Sequence, residues 1–262
     1  MASRFEKSIV VIHAHPDDTE AFCAGTLGHL KNLGYRITIA TMTSGDLGGM
    51  GMGRGQTKRV RAKEAEAAAA VLGASYHSYG AHDGYLQDSP KARQWVTALV
   101  RRARAGIVMT HLPFDYHPDH RTTAAIVDAG VMVASLPNVP CGEPHLDITP
   151  LFYHTAPLGF SDPLGSPVTP PHFFIDITST IETKMQMLAH HKSQQDLMRH
   201  MHKMDDFFGE MKKYNLDLGR RAKVKYAEVL WQHLGGGYQK EPQIQAELRK
   251  FIRLDRTPLK KT

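Results

Sequence analysis

Short apolar, β-branched runs alternate with helical periodicity along the first half of the chain. Residues 8–13, from Ser8 through Ile9-Val10-Val11-Ile12, predict a buried strand. Phe22, Leu27, Leu30 and Leu33 then recur at helical spacing from Thr19 onward, and Gly34 supplies a stop. Arg36–Met42 predicts a second strand. A glycine-rich stretch over 45–55 leads into an Ala/Glu/Lys-rich helix ending at Gly73. Ser89-Pro90 opens a further helix to about Arg104, because Ser can cap and Pro is pre-set for a first turn. A strand over 106–110 and a helix over 122–135 follow. The repeated strand–helix alternation predicts an α/β fold with a mainly parallel sheet flanked by helices.

The pattern changes in the last third. Residues 136–172 are rich in Pro and Gly, with one strand near 151–154 and another over 173–177. Ser179-Thr180-Ile181-Glu182 predicts a capping box at the head of a long helical region. Six of the twelve methionines fall between Met185 and Met211, as core residues or as an adaptable wall over a pocket. With no internal repeat, the expectation is one domain over 1–262 with an elaborated C-terminal third.

Composition narrows the function classes. Of 262 residues, 42% are hydrophobic and 22% charged, which excludes bulk disorder. No stretch approaches the roughly 20 apolar residues of a membrane helix. The run at 8–12 is too short for a signal-peptide core, so the expected location is cytoplasmic. Cys23 and Cys141 are the only cysteines, too few for a disulfide framework or a Cys-based zinc knuckle. The net charge of +6 raises the question of nucleic acid. Its basic residues, however, are spread along helical patterns and the tail from Arg249 to Lys261, with no recognisable nucleic-acid motif. No nucleic-acid partner is expected.

Three polar clusters follow predicted strands. In His13-Ala14-His15-Pro16-Asp17-Asp18-Thr19-Glu20, Pro16 fixes the turn so that side chains 15 and 18 converge where strand gives way to helix. Imidazole and carboxylate are both zinc ligands. Helix capping by Asp17 with Glu20 explains one acid. It explains neither His15 nor a second adjacent carboxylate, whose repulsion is costly without a cation. The second cluster, Phe114-Asp115-Tyr116-His117-Pro118-Asp119-His120-Arg121, also precedes a helix. Ligands of open parallel sheets bind beyond the carboxyl ends of the strands, where both segments fall. The third, Ser44 to Gly55, contains neither G-x-G-x-x-G nor Gly-Lys-Ser/Thr. It reads as a mobile, substrate-facing loop carrying Asp46 and Arg54, or as a plain surface loop.

Two histidines and one aspartate make a three-ligand zinc site with a position open for water, the arrangement of a catalytic metal. Zinc lowers the pKa of its water to about 7 and polarises a carbonyl. Asp17, beside ligand Asp18, is the candidate general base. His117 suits the developing oxyanion or the leaving amine, with Asp119 placed to orient His117 and keep it charged. Together these groups predict metal-assisted amide hydrolysis.

His15-Pro16-Asp17-Asp18 and His117-Pro118-Asp119-His120 resemble the two signature motifs of the PIG-L/LmbE-like deacetylases. Further elements are similar across most of the chain: Gly25-Thr26-Leu27, Ser44-Gly45-Asp46, Arg61-x-x-Glu64, Asp83-Gly84, Lys184, His191-Lys192-Ser193-Gln194 and Tyr226-Ala227-Glu228. The resemblance implies a Rossmann-like fold binding one divalent ion per chain, usually Zn²⁺ though another is compatible. It also implies hydrolysis of N-acyl groups, typically the N-acetyl of a glucosamine-containing compound. On it, His15, Asp18 and His120 are ligands, Asp17 the base and His117 the oxyanion partner, with Asp46, Arg54 and His191 at the substrate pocket. Asp46 stands where Glu is more usual, and Leu230-Trp231 where Phe is, so the substrate beyond an amino sugar is open. A homo-oligomer is compatible with the sequence. The alternatives are an amidase of a thiol conjugate or N-acyl natural product and, more distantly, a non-catalytic nucleotide- or nucleic-acid-binding module.

Overall fold

In the computed structural model, which describes residues 4–254, the first half alternates as expected. It runs β1 (Ser8–His13), α1 (Asp18–Asn32), β2 (Arg36–Thr43), α2 (Arg54–Val71), β3 (Ser75–Ala81), α3 (Pro90–Arg102), β4 (Ile107–His111), α4 (Pro118–Met132) and β5 (Leu151–Thr155). The C-terminal third adds β6 (Phe173–Asp176), α5 (Ile181–Ala189), α6 (Lys192–His202), α7 (Phe207–Ala222), β7 (Ala227–Gln232), α8 (Gln243–Glu247) and β8 (Ile252–Arg253). Among the described residues the strands form one sheet in the order β3-β2-β1-β4-β5-β7-β6-β8. β1 to β5 are parallel, and β7 turns antiparallel to both β5 and β6. Part of the expected basic tail, beyond residue 254, lies outside the described residues.

Alternation within β1 explains why helices cover both faces. Ile9 and Val11 pack on one side with Leu27, Leu30 and Ile107, while Val10 and Ile12 pack on the other with Val96, Val100 and Ile126. Successive strand side chains point to opposite faces, so a strand buried on both is apolar throughout. β1 lies between β2 and β4, which makes the carboxyl ends of β1 and β4 the switch point where the chain leaves in opposite directions. Both histidine motifs follow those two ends.

Several expectations change. Ser89 caps α3 as predicted, accepting from the Ala92 N–H. α4, however, starts at Pro118 rather than 122, with His117 as its N-cap, so the second motif is itself the helix start. The capping box at 179–182 is not formed: Thr180 donates instead to the Gly25 carbonyl on α1, and α5 has no side-chain cap. The long helical region breaks into α5, α6 and α7.

A buried ion pair joins the added third to the first helix. Lys184 Nζ lies 2.8 Å from Glu228 Oε1, both side chains essentially inaccessible. Glu228 also accepts from the N–H groups of Gly25 and Thr26 and from the Thr26 hydroxyl, while Lys184 donates to the Ala21 carbonyl. Every polar group of the pair is thereby satisfied by α1. Gly25 permits this approach, because a Cβ there would stand 2.8 Å from Ile177. Gly25→Ala is therefore expected to destabilise the fold by about 1–3 kcal/mol through overpacking, read as a lower urea midpoint with an unchanged m-value.

Candidate active site

The crevice at the ends of β1 and β4 opens into a cavity of about 610 Å³. One side is polar, with His15, Asp17, Asp18, Asp83, His117, Asp119 and His120; the other is formed by Leu158, α6 and α7. Met198, Met204 and Met211 all line it, Met211 from within the buried core, whereas Met185 and Met187 lie in that core away from the cavity.

Three donor groups from the two motifs converge. Asp18 Oδ2 lies 3.4 Å from His15 Nδ1, and Asp18 Oδ1 lies 3.4 Å from His120 Nε2. These separations exceed an ordinary N–H···O bond. The two separations use different Asp18 oxygens, so they gather the three residues in one crevice without fixing a coordination geometry. Imidazole and carboxylate groups gathered in this way are of the donor chemistry that fits a divalent ion. His117 joins His15 and His120 within 4.8 Å, as His111 joins Asp18 and His120.

Carboxylates behind the ring histidines set their orientation. Asp115 Oδ1 lies 3.1 Å from His120 Nδ1, leaving Nε2 toward Asp18. Asp119 Oδ2 lies 3.2 Å from His15 Nε2 and accepts from the Gly84 N–H. The carboxylate expected to orient His117 therefore orients His15, the pairing that fixes tautomer and ring plane in metal sites. His117 Nδ1 instead accepts from the Asp119 backbone N–H, which assigns the proton to Nε2. Burial and the neighbouring imidazoles of His15 and His120 pull His117 down to about 4, so it is neutral rather than held charged.

The other groups diverge in titration for physical reasons. Burial opposes charge on His15 and His120, but Asp119 and Asp18 push His15 up to about 10, and Asp18 and Asp115 push His120 up to about 9. Asp18 is buried too, yet its histidine partners, His120 foremost, hold it well below the usual carboxylate range. Asp17 is raised to about 6, chiefly by burial and against the pull of Arg61. Its backbone sits at φ 114°, left-handed for a non-glycine residue, and its side chain makes no helix-cap bond. The capping explanation for Asp17 is thereby removed, and the strain is of the kind that persists at functional sites.

Three residues support the site in roles the sequence alone did not assign. Buried Arg61 reaches from α2 to Asp17 Oδ1 at 3.3 Å and donates to the Pro16 and Gly45 carbonyls. A Cβ on Gly45, which has φ +70°, would meet the Arg61 guanidinium at 2.5 Å. His111 accepts the Ala14 N–H on Nε2 at 2.9 Å and stacks on His120 at 3.9 Å and 4°. Burial, first of all, pushes His111 down to about 3, so a neutral ring braces His120 while its lone pair is already used. Asp115 is the third. Isolated His and Asp residues carry no spacing signal; the R-x-x-E spacing was visible for Arg61, but not its target.

The residues expected at the substrate pocket stand apart from it. Asp46 is buried, accepting from Arg54 Nε at 3.0 Å and His82 Nδ1 at 2.8 Å, so it anchors its loop. Arg54 is half-exposed on that anchor. His191 is fully buried behind Asp17, 3.5 Å from Glu20 Oε1. None of the three lines the cavity. Asp83 does, and it clamps the same loop by accepting from the Gly45 and Leu47 N–H groups.

Comparison with known proteins places the fold and the family likeness. Residues 10–131 match the family model "PIG-L: GlcNAc-PI de-N-acetylase". The diacetylchitobiose deacetylase of Thermococcus kodakarensis is 28% identical over 200 residues, covering 72% of this chain and 70% of that one. Among solved structures, N,N'-diacetylchitobiose deacetylase from Pyrococcus horikoshii superposes with a TM-score of 0.74 at 23% identity, over 90% and 87% of the two chains. The 4-carboxy-2-hydroxymuconate hydratase GalB of Pseudomonas putida KT2440 also superposes, with a TM-score of 0.71 at 21% identity over 90% and 99%. The fold alone therefore does not choose between deacetylation and hydration. Among the described residues, no helix is long and apolar enough to cross a membrane.

Proposed function

We propose, from the match of residues 10–131 to the PIG-L family model, that the chain is a metal-dependent N-deacetylase that hydrolyses the acetamide of an N-acetylglucosamine-containing compound, with zinc as the ion. The reading is carried by the 3.4 Å convergence of His15, Asp18 and His120 donor atoms beside the Asp17 carboxylate. Its substrate class is supported by the acetylated amino sugar named for the Thermococcus relative. His15, Asp18 and His120 would hold the ion. When bound, the ion supplies Lewis-acid polarisation of the amide carbonyl and an acidified water.

The chain's own groups do the rest. Asp17, near pKa 6, is ionised at neutral pH yet basic enough to take a proton from the attacking water. Arg61 at 3.3 Å fixes one of its oxygens. Neutral His117 offers Nε2–H to the amide oxygen as negative charge develops. The proton taken by Asp17 then passes to the departing amine, releasing acetate and the free amino sugar.

Chelation tests the cofactor. Dialysis against a chelator should abolish acetate release, and one equivalent of zinc per chain should restore it; full activity in metal-free protein would overturn the proposal. The pH dependence of metal binding has a definite sign. Protons on His15 and His120, held to about 10 and about 9, must leave before an ion enters. Affinity should therefore rise at least about tenfold per pH unit toward pH 9, with proton release in titration calorimetry. A pH-independent affinity would show that these imidazoles are not the ligands.

A further inference from the structure

Resting on the deacetylase reading, we infer that the amino sugar carries an apolar substituent, received by the cavity wall opposite the histidines. That wall consists of Leu158, Leu197, Met198, Met204, Phe207 and Met211. Gln194 is the polar side chain α6 adds there, and its amide already donates to the Gly48 carbonyl at 3.1 Å. A sugar hydroxyl turned to this side loses water and finds no polar side chain among these six apolar ones beyond what is left of the single Gln194 amide, which disfavours a second bare sugar. An apolar group meets the opposite balance.

Leu197, Met198 and Met204 are only half-buried, so they keep apolar surface open to the cavity. At the mouth, Leu47 is 50% exposed and Tyr116 43%, extending the apolar surface outward. The three methionines give a deformable surface suited to a hydrocarbon chain rather than to one rigid shape. The substituent can be attached through the N-acyl group or through the aglycone. Both present the same hydrocarbon chemistry to this wall.

Three substrates separate the sources: N-acetylglucosamine, its hexyl β-glycoside and N-hexanoylglucosamine, each followed by release of the free amine. Burying part of a six-carbon chain should raise kcat/KM at least about tenfold over N-acetylglucosamine for one of the hexyl compounds. A gain for the glycoside places the apolar group on the aglycone, and a gain for the amide places it on the acyl chain. The Met198→Gln/Met204→Gln double variant should lower that ratio at least about fivefold, and circular dichroism checks its fold. Equal kcat/KM for all three substrates would overturn the inference and leave the deacetylase reading standing. Amine release from none of them would overturn the reading on which it rests.

Discussion

Asp17→Asn should lower the rate of acetate release by about 10²–10⁴-fold while leaving the bound metal and the melting temperature close to those of the parent protein. Removing a positioned general base commonly costs this much. Asn is the informative replacement because residue 17 sits at φ 114°, where Asn is tolerated better than most side chains. Its amide also keeps an oxygen for Arg61, which lies 3.3 Å away. Loss of the proton acceptor is then separated from loss of the turn. An Asn variant that kept full acetate release and its metal would exclude Asp17 as the base.

Glu228→Gln should cost about 3–5 kcal/mol of stability, a drop of roughly 10 °C in melting temperature for a chain of this size. The change leaves the Lys184 ammonium buried without its counter-charge, 2.8 Å from a neutral amide. It also forces an amide NH₂ toward the Gly25 or Thr26 N–H groups, which need acceptors. An uncompensated buried charge and mismatched donors both act against the folded state. Glu228 touches α1 at Gly25 and Thr26, about two turns beyond Asp18 and without contact to any of the three ligand residues, so the variant should bind metal normally at temperatures where it remains folded. A melting temperature unchanged within a degree would show that the pair contributes little.

The sheet's first half was readable because strands buried on both faces are apolar throughout. β1 and β4 announce themselves in this way, and the two motifs sit at their ends. β3 was missed: Ser75-Tyr76-His77-Ser78-Tyr79-Gly80-Ala81 is a half-exposed edge strand with no apolar run. β7 was missed for a different reason. Glu228 in its middle contradicts a buried strand until Lys184, 44 residues earlier in the chain, is seen against it. The placement of His15, Asp18 and His120 together was legible because short turns at adjacent strand ends leave little freedom. The pocket assignment of Asp46, Arg54 and His191 was not, because nothing local reveals that His82 and Arg54 occupy the Asp46 carboxylate. Asp119 turning to His15 instead of His117 follows from the early start of α4, which commits His117 to capping.

On the proposed reading, one divalent ion is held where the opening turn of the chain meets the start of α4. Diffraction data collected on both sides of the zinc absorption edge, from crystals of zinc-loaded protein, test it most directly. One anomalous peak per chain is expected, bounded by His15, Asp18 and His120, present above the edge and weak below it. A peak at some other set of residues, or no peak in that crevice at full zinc loading, would contradict it.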